Sequence, residues 1–288
     1  MQSETRRTIA EAVRLDAETA RAHPLGGGDI AGSYRLEDGA RSVFVKCMPL
    51  AQREVLEAEQ DGLSRIAATD TLHVPSVLGS GCSDVAWLVL EFVDLRPCSR
   101  AAFAALGERL AALHACRSER FGLDRDNFIG ATPQVNHRSG DWTEFFFERR
   151  IGQQLRRLAD AGERFGTRDA DKLRTSWQRR FPGYAPEASL IHGDLWAGNG
   201  AMDANEQPMI FDPAVHYADR ECDLAMTRLF GGFGTAFYEA YDTAWPLEAG
   251  WRERLDFYQL YHVLNHANLF GGGYVARSRR LIDQLVGG

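Results

Sequence analysis

Two short apolar runs, residues 189–191 and 209–211, lead into His192 and Asp212. Runs this short suit strands better than helices, which need three turns or more to show their period. Asp194 and Asn199 follow the first run, so Asp194, Asn199 and Asp212 stand at intervals of five and thirteen residues. Two short strands present all three side chains at one end. A fold for this chain therefore has to bring those two strand ends together.

Phosphoryl transfer needs such a grouping: a carboxylate to orient the attacking hydroxyl, then an amide and a second carboxylate to hold Mg²⁺ on the phosphates. In the kinase signature the base and the metal-binding Asn are separated as Asp194 and Asn199 are, and the metal Asp sits on a following strand, as Asp212 would. His192-Gly193-Asp194 stands in place of His-Arg-Asp, which points to small-molecule kinases. Two other readings stay open from these residues alone. His-Gly-Asp is also ordinary turn chemistry beside a strand. His192, Asp194, Asp212 and His216 could serve a metal-dependent hydrolase, although no third His lies nearby. The kinase reading makes a further demand upstream, for a Gly-rich turn, a Lys and a Glu.

Residues 5–22 carry Ile9, Ala12, Val13 and Ala20 among charges, and the spacing predicts an amphipathic opening helix ended by His23-Pro24. Gly26-Gly27-Gly28-Asp29 is then a turn, followed by β-rich runs at 30–36 and 42–47 with Asp38-Gly39 as a hairpin signal. Three glycines before a strand serve a plain turn or a phosphate cradle. Lys46, at the end of the second run, favours the cradle. Of the 33 basic residues only Lys46 and Lys172 are lysines, and a site that needs a compact ammonium is one reason to keep a Lys in an Arg-rich chain. Residues 49–68 have helical period, with Val55, Leu56, Leu63 and Ile66 on one stripe and Glu59 the one acid among them. An acid on a buried stripe is costly unless paired, and Lys46 is the expected partner. Residues 72–78 and 85–93 complete a small sheet.

The texture changes at residues 94–99. From residue 101 helical patterns dominate, at 103–116, 142–161, 168–180, 219–230, 235–243, 251–270 and 275–286. The expectation is an α+β, protein-kinase-like fold of two lobes: an antiparallel sheet lobe with one main helix over residues 1–93, a hinge at 94–99, and a larger helical lobe over 100–288. The cleft between them is the expected site, with the backbone of Glu91, Phe92 and Val93 beside an adenine edge. Between Asp212-Pro213 and the helical pattern that resumes near Arg220 there is room for only a short turn. His114 and the run Phe145-Phe146-Phe147 read as core. His262 and His266 lie four apart on a helix, a spacing that serves packing more readily than a metal here. Asp223 reads as a support for the 192–199 loop or a helix cap.

With a net charge of −7 and a pI near 5.7, the chain lacks the basic character of a nucleic-acid or anionic-membrane binder. No apolar run approaches the length of a membrane span or a signal sequence, and the expected location is the cytoplasm. Five cysteines without a C-x-x-C pair indicate reduced thiols.

Several stretches together resemble the fructosamine (ketosamine) 3-kinase family. They are Gly26 to Ile30, Val43 to Lys46, Glu59 with Gly62-Leu63, Leu106-Gly107 with Leu110 to His114, and Phe121-Gly122-Leu123 with Asn127 to Gly130. His192 to Asn199, and Phe211-Asp212-Pro213 with Arg220 to Ala225, continue the match. More specific are Trp196 inside the loop, the segment from Gln134 and Asn136 to Phe147 with Asp141-Trp142, and Leu229-Phe230-Gly231-Gly232-Phe233. The resemblance covers nearly the whole chain. It implies an ATP- and Mg²⁺-dependent kinase acting on the sugar 3-hydroxyl of a ketoamine, free or on a protein lysine. Gly26, Gly27, Gly28, Lys46 and Glu59 would serve the nucleotide, Asp194 would be the base, and Asn199 and Asp212 the metal ligands. Trp196, Asp141, Trp142 and His266 are the candidates for the acceptor side. Another small hydroxyl substrate, an aminoglycoside or amino alcohol, stays open, as does an inactive kinase-like binding module.

Overall fold

The hairpin expected around Asp38-Gly39 forms the centre of the sheet in a computed structural model of the chain, which describes residues 1–26 and 31–287. Strands β1 (Arg21–Leu25), β2 (Gly32–Glu37), β3 (Ser42–Met48), β4 (Val77–Cys82) and β5 (Ala86–Glu91) lie in the order β1-β2-β3-β5-β4, every neighbour antiparallel. The opening helix α1 is shorter than its sequence pattern, Ser3–Ala12. Arg14 turns left-handed (φ 57°) and Leu15 donates back to the Ala10 carbonyl at 2.9 Å, which closes the helix without a glycine. The following residues pair as an edge strand, where Pro24 needs no donor.

Alternation along β3 assigns its residues to two faces. Val43 and Val45 meet Ile9, Leu36, Trp87 and Val89 under α1. Met48 and Phe44 face Leu56, Leu63 and Ile66 of α2 (Arg53–Ala67), and Lys46 shares their side of the strand. This second cluster runs on through Leu106, Leu110, Leu190 and Ile210, so the sheet lobe and the helical lobe share one apolar core.

The helical lobe starts with α3 (Arg100–His114) and the short strands β6 (Arg117–Ser118), β7 (Asn127–Ile129) and β8 (Thr132–Gln134). The pattern at 142–161 is one rod in three parts: α4 (Trp142–Phe145), a π-helical turn (Phe146–Ile151) and α5 (Gly152–Asp160). Then come α6 (Thr167–Arg180), β9 (Ala188–Ile191), β10 (Gly200–Met202), β11 (Pro208–Ile210), β12 (His216–Ala218), α7 (Glu221–Leu229), α8 (Thr235–Ala244), α9 (Trp251–Phe270) and α10 (Gly273–Gly287). Phe145, Phe146 and Phe147 pack with Trp142, Trp177, Phe257 and Tyr258 in an aromatic core. Among the described residues no helix is long and apolar enough to cross a membrane.

Residues 72–74 do not begin β4, as their β-rich composition suggests; they border a different strand. Ile210 donates to the His73 carbonyl at 3.0 Å, and His73 pairs in parallel with Met209 of β11. On the other side of the β10–β11 hairpin, Arg96 and Met202 exchange backbone bonds of 2.8 and 2.9 Å. The segment before β4 and the segment after β5 thus border the same hairpin. Helix α2 touches the helical lobe at Gly62, where a Cβ would stand 3.0 Å from the Pro213 ring, and at Arg65, which binds Asp124 at 2.8 Å.

Candidate active site

Strand β9 is buried throughout and delivers the chain to His192. Here the chain turns, with Gly193 at φ 84°, and a Cβ on Gly193 would stand 2.3 Å from the Ala214 carbonyl oxygen. An Arg, as in His-Arg-Asp, has no room in this turn. The turn is held from α7: Asp223 accepts the N–H groups of His192 at 2.7 Å and Gly193 at 2.8 Å, and its Oδ2 also meets His114 Nε2 at 3.1 Å. Burial pushes the Asp223 carboxyl up, but the His114 donor and the loop N–H groups outweigh it and hold the pKa below the usual carboxylate range. Tyr241 closes the chain at His114 Nδ1 (2.7 Å).

His192 uses both ring nitrogens, accepting from Asp194 N–H at Nδ1 (3.2 Å) and meeting the Phe211 carbonyl at Nε2 (3.0 Å). Asp194 itself keeps a partly open edge among protein atoms. Burial first, then repulsion from Asp212 and Asp223, raises its pKa to about 7. Asn199 is buried, donates Nδ2 to the Asp194 carbonyl at 2.8 Å, and accepts the Phe211 N–H at 3.1 Å on its own carbonyl. The two apolar runs do converge, and Asp194, Asn199 and Asp212 share one end.

Lys46 reaches this end from β3. Its ammonium lies 2.7 Å from Glu59 and 2.5 Å from Asp212, so the paired acid expected on α2 is present and the Lys bridges the cleft. Burial opposes the charge on Lys46, yet the two carboxylates outweigh it and raise its pKa. For Glu59 burial dominates and raises the carboxyl, against the pull of Lys46. Asp212 keeps a side chain 45% exposed, on a left-handed backbone (φ 59°) that Asp tolerates better than most residues.

The remaining candidates are dispersed. Gly26 follows β1 and is exposed, whereas Gly27 and Gly28 lie outside the described residues. Glu91 ends β5 and binds Ser76 through its side chain (3.0 Å); Phe92 lies under the Arg35 guanidinium (4.8 Å), and Phe92 and Val93 are half-buried. Trp196 is 39% exposed, with its indole folded over Gly198. Three candidates for the acceptor side also hold structural positions. Trp142 is 4% exposed, donates to Tyr258 and stacks on Phe145 and Phe146, as an aromatic inside an aromatic run should. Asp141 caps α4 through the Glu144 N–H (2.7 Å). His266 binds the His262 carbonyl at 2.8 Å and packs among Phe230, Phe270 and Tyr274.

The hydrolase reading fails on donor chemistry. His192 has no free nitrogen, and His216 meets Ala214 O through Nδ1 and accepts from Arg150 through Nε2. Among the described residues no three His, Cys, Asp or Glu gather as a metal site. An oxygen set of one carboxylate and one amide remains. Asn199 spends its Nδ2 and not its Oδ1, and Asp212 spends one oxygen on Lys46, so the pair suits a hard cation such as Mg²⁺.

One group escaped notice in the sequence, a buried polar network of Asn127, Gln134, Asn136, Arg150, His216 and Tyr261 behind the loop. Its trace is Arg150, four residues after Phe146 on the apolar face, the kind of signal that singled out Glu59.

Comparison with known proteins agrees with this geometry. A family model described as fructosamine kinase matches residues 1–287. A protein of Synechocystis sp. named a probable ketoamine kinase is 42% identical over 265 residues, covering 91% of this chain and 89% of its own. A crystal structure from Haemophilus somnus, assigned as a fructosamine-3-kinase, is 31% identical and superposes with a TM-score of 0.87 over 96% of both chains. An ADP-bound aminoglycoside phosphotransferase shares the fold, with a TM-score of 0.64, 12% identity and coverage of 99% of this chain and 97% of its own. With its two-lobed kinase fold and a family match along all but the last residue, the chain belongs to the fructosamine kinase family, phosphotransferases with an alcohol group as acceptor.

Proposed function

We propose that the protein transfers the γ-phosphoryl group of ATP to the 3-hydroxyl of a ketoamine sugar, either a free amine adduct or one carried on a protein lysine, in the cytoplasm. The observation that carries this reading is the bridge from Glu59 through Lys46 to Asp212, set beside the Asp194 loop. In this reading the catalytic cleft lies between residues 1–93 and 100–288 with 94–99 as hinge, and Glu91 to Val93 border the adenine.

Lys46, oriented by Glu59, holds the phosphates as a compact point charge. Asn199 and Asp212 would hold Mg²⁺, which when bound neutralises charge developing on the phosphate oxygens. Asp194 orients the acceptor hydroxyl and takes its proton. The Asp223 and His192 bonds keep that carboxylate in place. Trp196 covers the acceptor from water and stacks on the sugar face, and His266 lines the outer wall of the acceptor cleft.

The test is phosphorylation of fructose-lysine and ribulose-lysine against kanamycin and choline, with Asp194→Asn as control. Ketoamine turnover that the control lacks supports the reading. Faster turnover of kanamycin or choline would move the acceptor to aminoglycosides or amino alcohols, and turnover of no acceptor would leave a binding module.

A further inference from the structure

Arg150 is 1% exposed and projects from the π-helical turn into the lobe behind the loop, away from any role in the phosphoryl-transfer reading. Its Nε donates to His216 Nε2 at 3.3 Å, Nη1 to the carbonyls of Val135 (2.6 Å) and Arg149 (3.2 Å), and Nη2 to Asn136 Oδ1 at 2.6 Å. Its hydrogen-bond partners among the described residues are all neutral, and the rings of Phe145 and Tyr261 lie 4.6 and 5.9 Å from it. Asp126 acts on it from farther off, with Oδ1 given to the Asn136 N–H. A guanidinium buried without a carboxylate partner is costly, and an apolar side chain of similar volume would pack there at least as well. Packing alone does not explain it.

The bonds that leave Arg150 converge on the backbone after Asp212. His216 donates Nδ1 to the Ala214 carbonyl at 3.0 Å. Asn136 donates to Asn127 Oδ1 (2.7 Å), and Asn127 donates to the Val215 carbonyl (2.8 Å). Gln134, held by the Tyr261 hydroxyl at 2.7 Å, reaches the same Asn127 oxygen and the Ala214 carbonyl. The carbonyls of Ala214 and Val215 are therefore both fixed by side chains tied to this guanidinium. Ala214 in turn donates to the His192 carbonyl at 2.8 Å, and Asp212 holds its left-handed backbone two residues upstream.

We propose that Arg150 is a positioning residue for the metal-facing side of the site: through Asn136 and His216 it fixes the segment after Asp212 and so aims the Asp212 carboxylate. The proposal rests on the reading of Asp212 as a metal ligand. Its effect falls first on metal and nucleotide, because the anchored carbonyls belong to the segment that carries Asp212, which meets the Asp194 loop at His192 and Gly193. Guanidinium is needed for its fork of several donors, which Lys cannot reproduce.

The experiment compares the unaltered protein with Arg150→Met, His216→Leu and Asp212→Ala, checking folding by circular dichroism. Mn²⁺ binding is followed by electron paramagnetic resonance with a non-hydrolysable ATP analogue, beside steady-state kinetics. Arg150→Met and His216→Leu should each weaken Mn²⁺ binding by about tenfold, as loss of a group that orients a metal ligand does. The ketoamine KM should stay within about twofold while kcat falls. His216→Leu leaves the other Arg150 bonds in place and decides the matter if Arg150→Met does not fold. Unchanged Mn²⁺ binding in folded Arg150→Met or His216→Leu, with binding lost in Asp212→Ala, overturns the proposal alone. Unchanged binding in Asp212→Ala overturns the metal role of Asp212 and the proposal with it. An equal rise in ketoamine KM and Mn²⁺ dissociation constant also overturns it, since that reports general loosening.

Discussion

Asp223→Asn changes a fully buried carboxylate into an amide of the same shape, and the structure lets its cost be worked out. Asp223 serves three donors, the N–H groups of His192 and Gly193 and the Nε2 of His114, at 2.7, 2.8 and 3.1 Å. An Asn turned with its oxygen toward Gly193 presents its own NH₂ to His192 and His114, so donor faces donor. A lost bond to a charged group is worth about 1.5–3 kcal/mol and a stranded buried donor about 1–3 kcal/mol, or about 2.5–6 kcal/mol together. Total stability is about 5–15 kcal/mol, so the loss is large. Tm should fall by about 10 °C, given about 2–4 °C per kcal/mol for a chain of this size. Displacing the Asp194 loop by about an ångström should lower kcat by about a hundredfold. The sign with pH follows from the depressed Asp223 pKa. Its stabilisation is present above the ordinary carboxylate pKa of about 4 and is lost as pH falls through the lower folded value. The Asn variant should lack that acid-dependent loss. The assay is thermal unfolding by circular dichroism from neutral to acid pH, with kcat measured on the same samples. A variant melting within about 2 °C of the unaltered protein, with kcat within about twofold, would refute the support assigned to Asp223.

Lys46→Arg should lower kcat/KM for ATP by about a hundredfold, because a planar fork cannot take the place of an ammonium 2.7 Å from Glu59 and 2.5 Å from Asp212. Full activity would reduce Lys46 to a strand-end charge. Trp196→Ala should raise the acceptor KM by about tenfold with the ATP KM within about twofold; equal effects would mean the indole only packs on Gly198. Burial and the neighbouring Asp212 and Asp223 raise Asp194 to about 7, and only its ionised form accepts a proton. Acceptor kcat/KM should therefore fall as pH drops below about 7, and a profile flat down to about pH 5.5 would exclude Asp194 as the base.

What could be read from the sequence was local or demanded by chemistry. Glu59 betrayed its partner because an acid on an apolar stripe needs one, and the loop residues declared themselves by spacing. The end of α1 was hidden because Arg14 makes a left-handed stop that usually falls to Gly, and Pro24 disguised an edge strand. The burial of Trp142 was not legible, because the sequence does not say which rings of an aromatic run face inward. Arg150 stayed silent for another reason. Its partner His216 lies 66 residues away, and no periodic pattern encodes a contact of that span.

The β10–β11 hairpin has Asn199 at its entry and Asp212 just past its exit, and the Phe211 N–H donates to the Asn199 carbonyl across its open end. The hairpin is bordered at His73 by the sheet side and at Arg96 by the connecting segment, so it is held from two sides. The Phe211–Asn199 bond ties together the entry and the exit of the hairpin, so the spacing of Asn199 and Asp212 belongs to the hairpin itself and not to the approach of the two lobes.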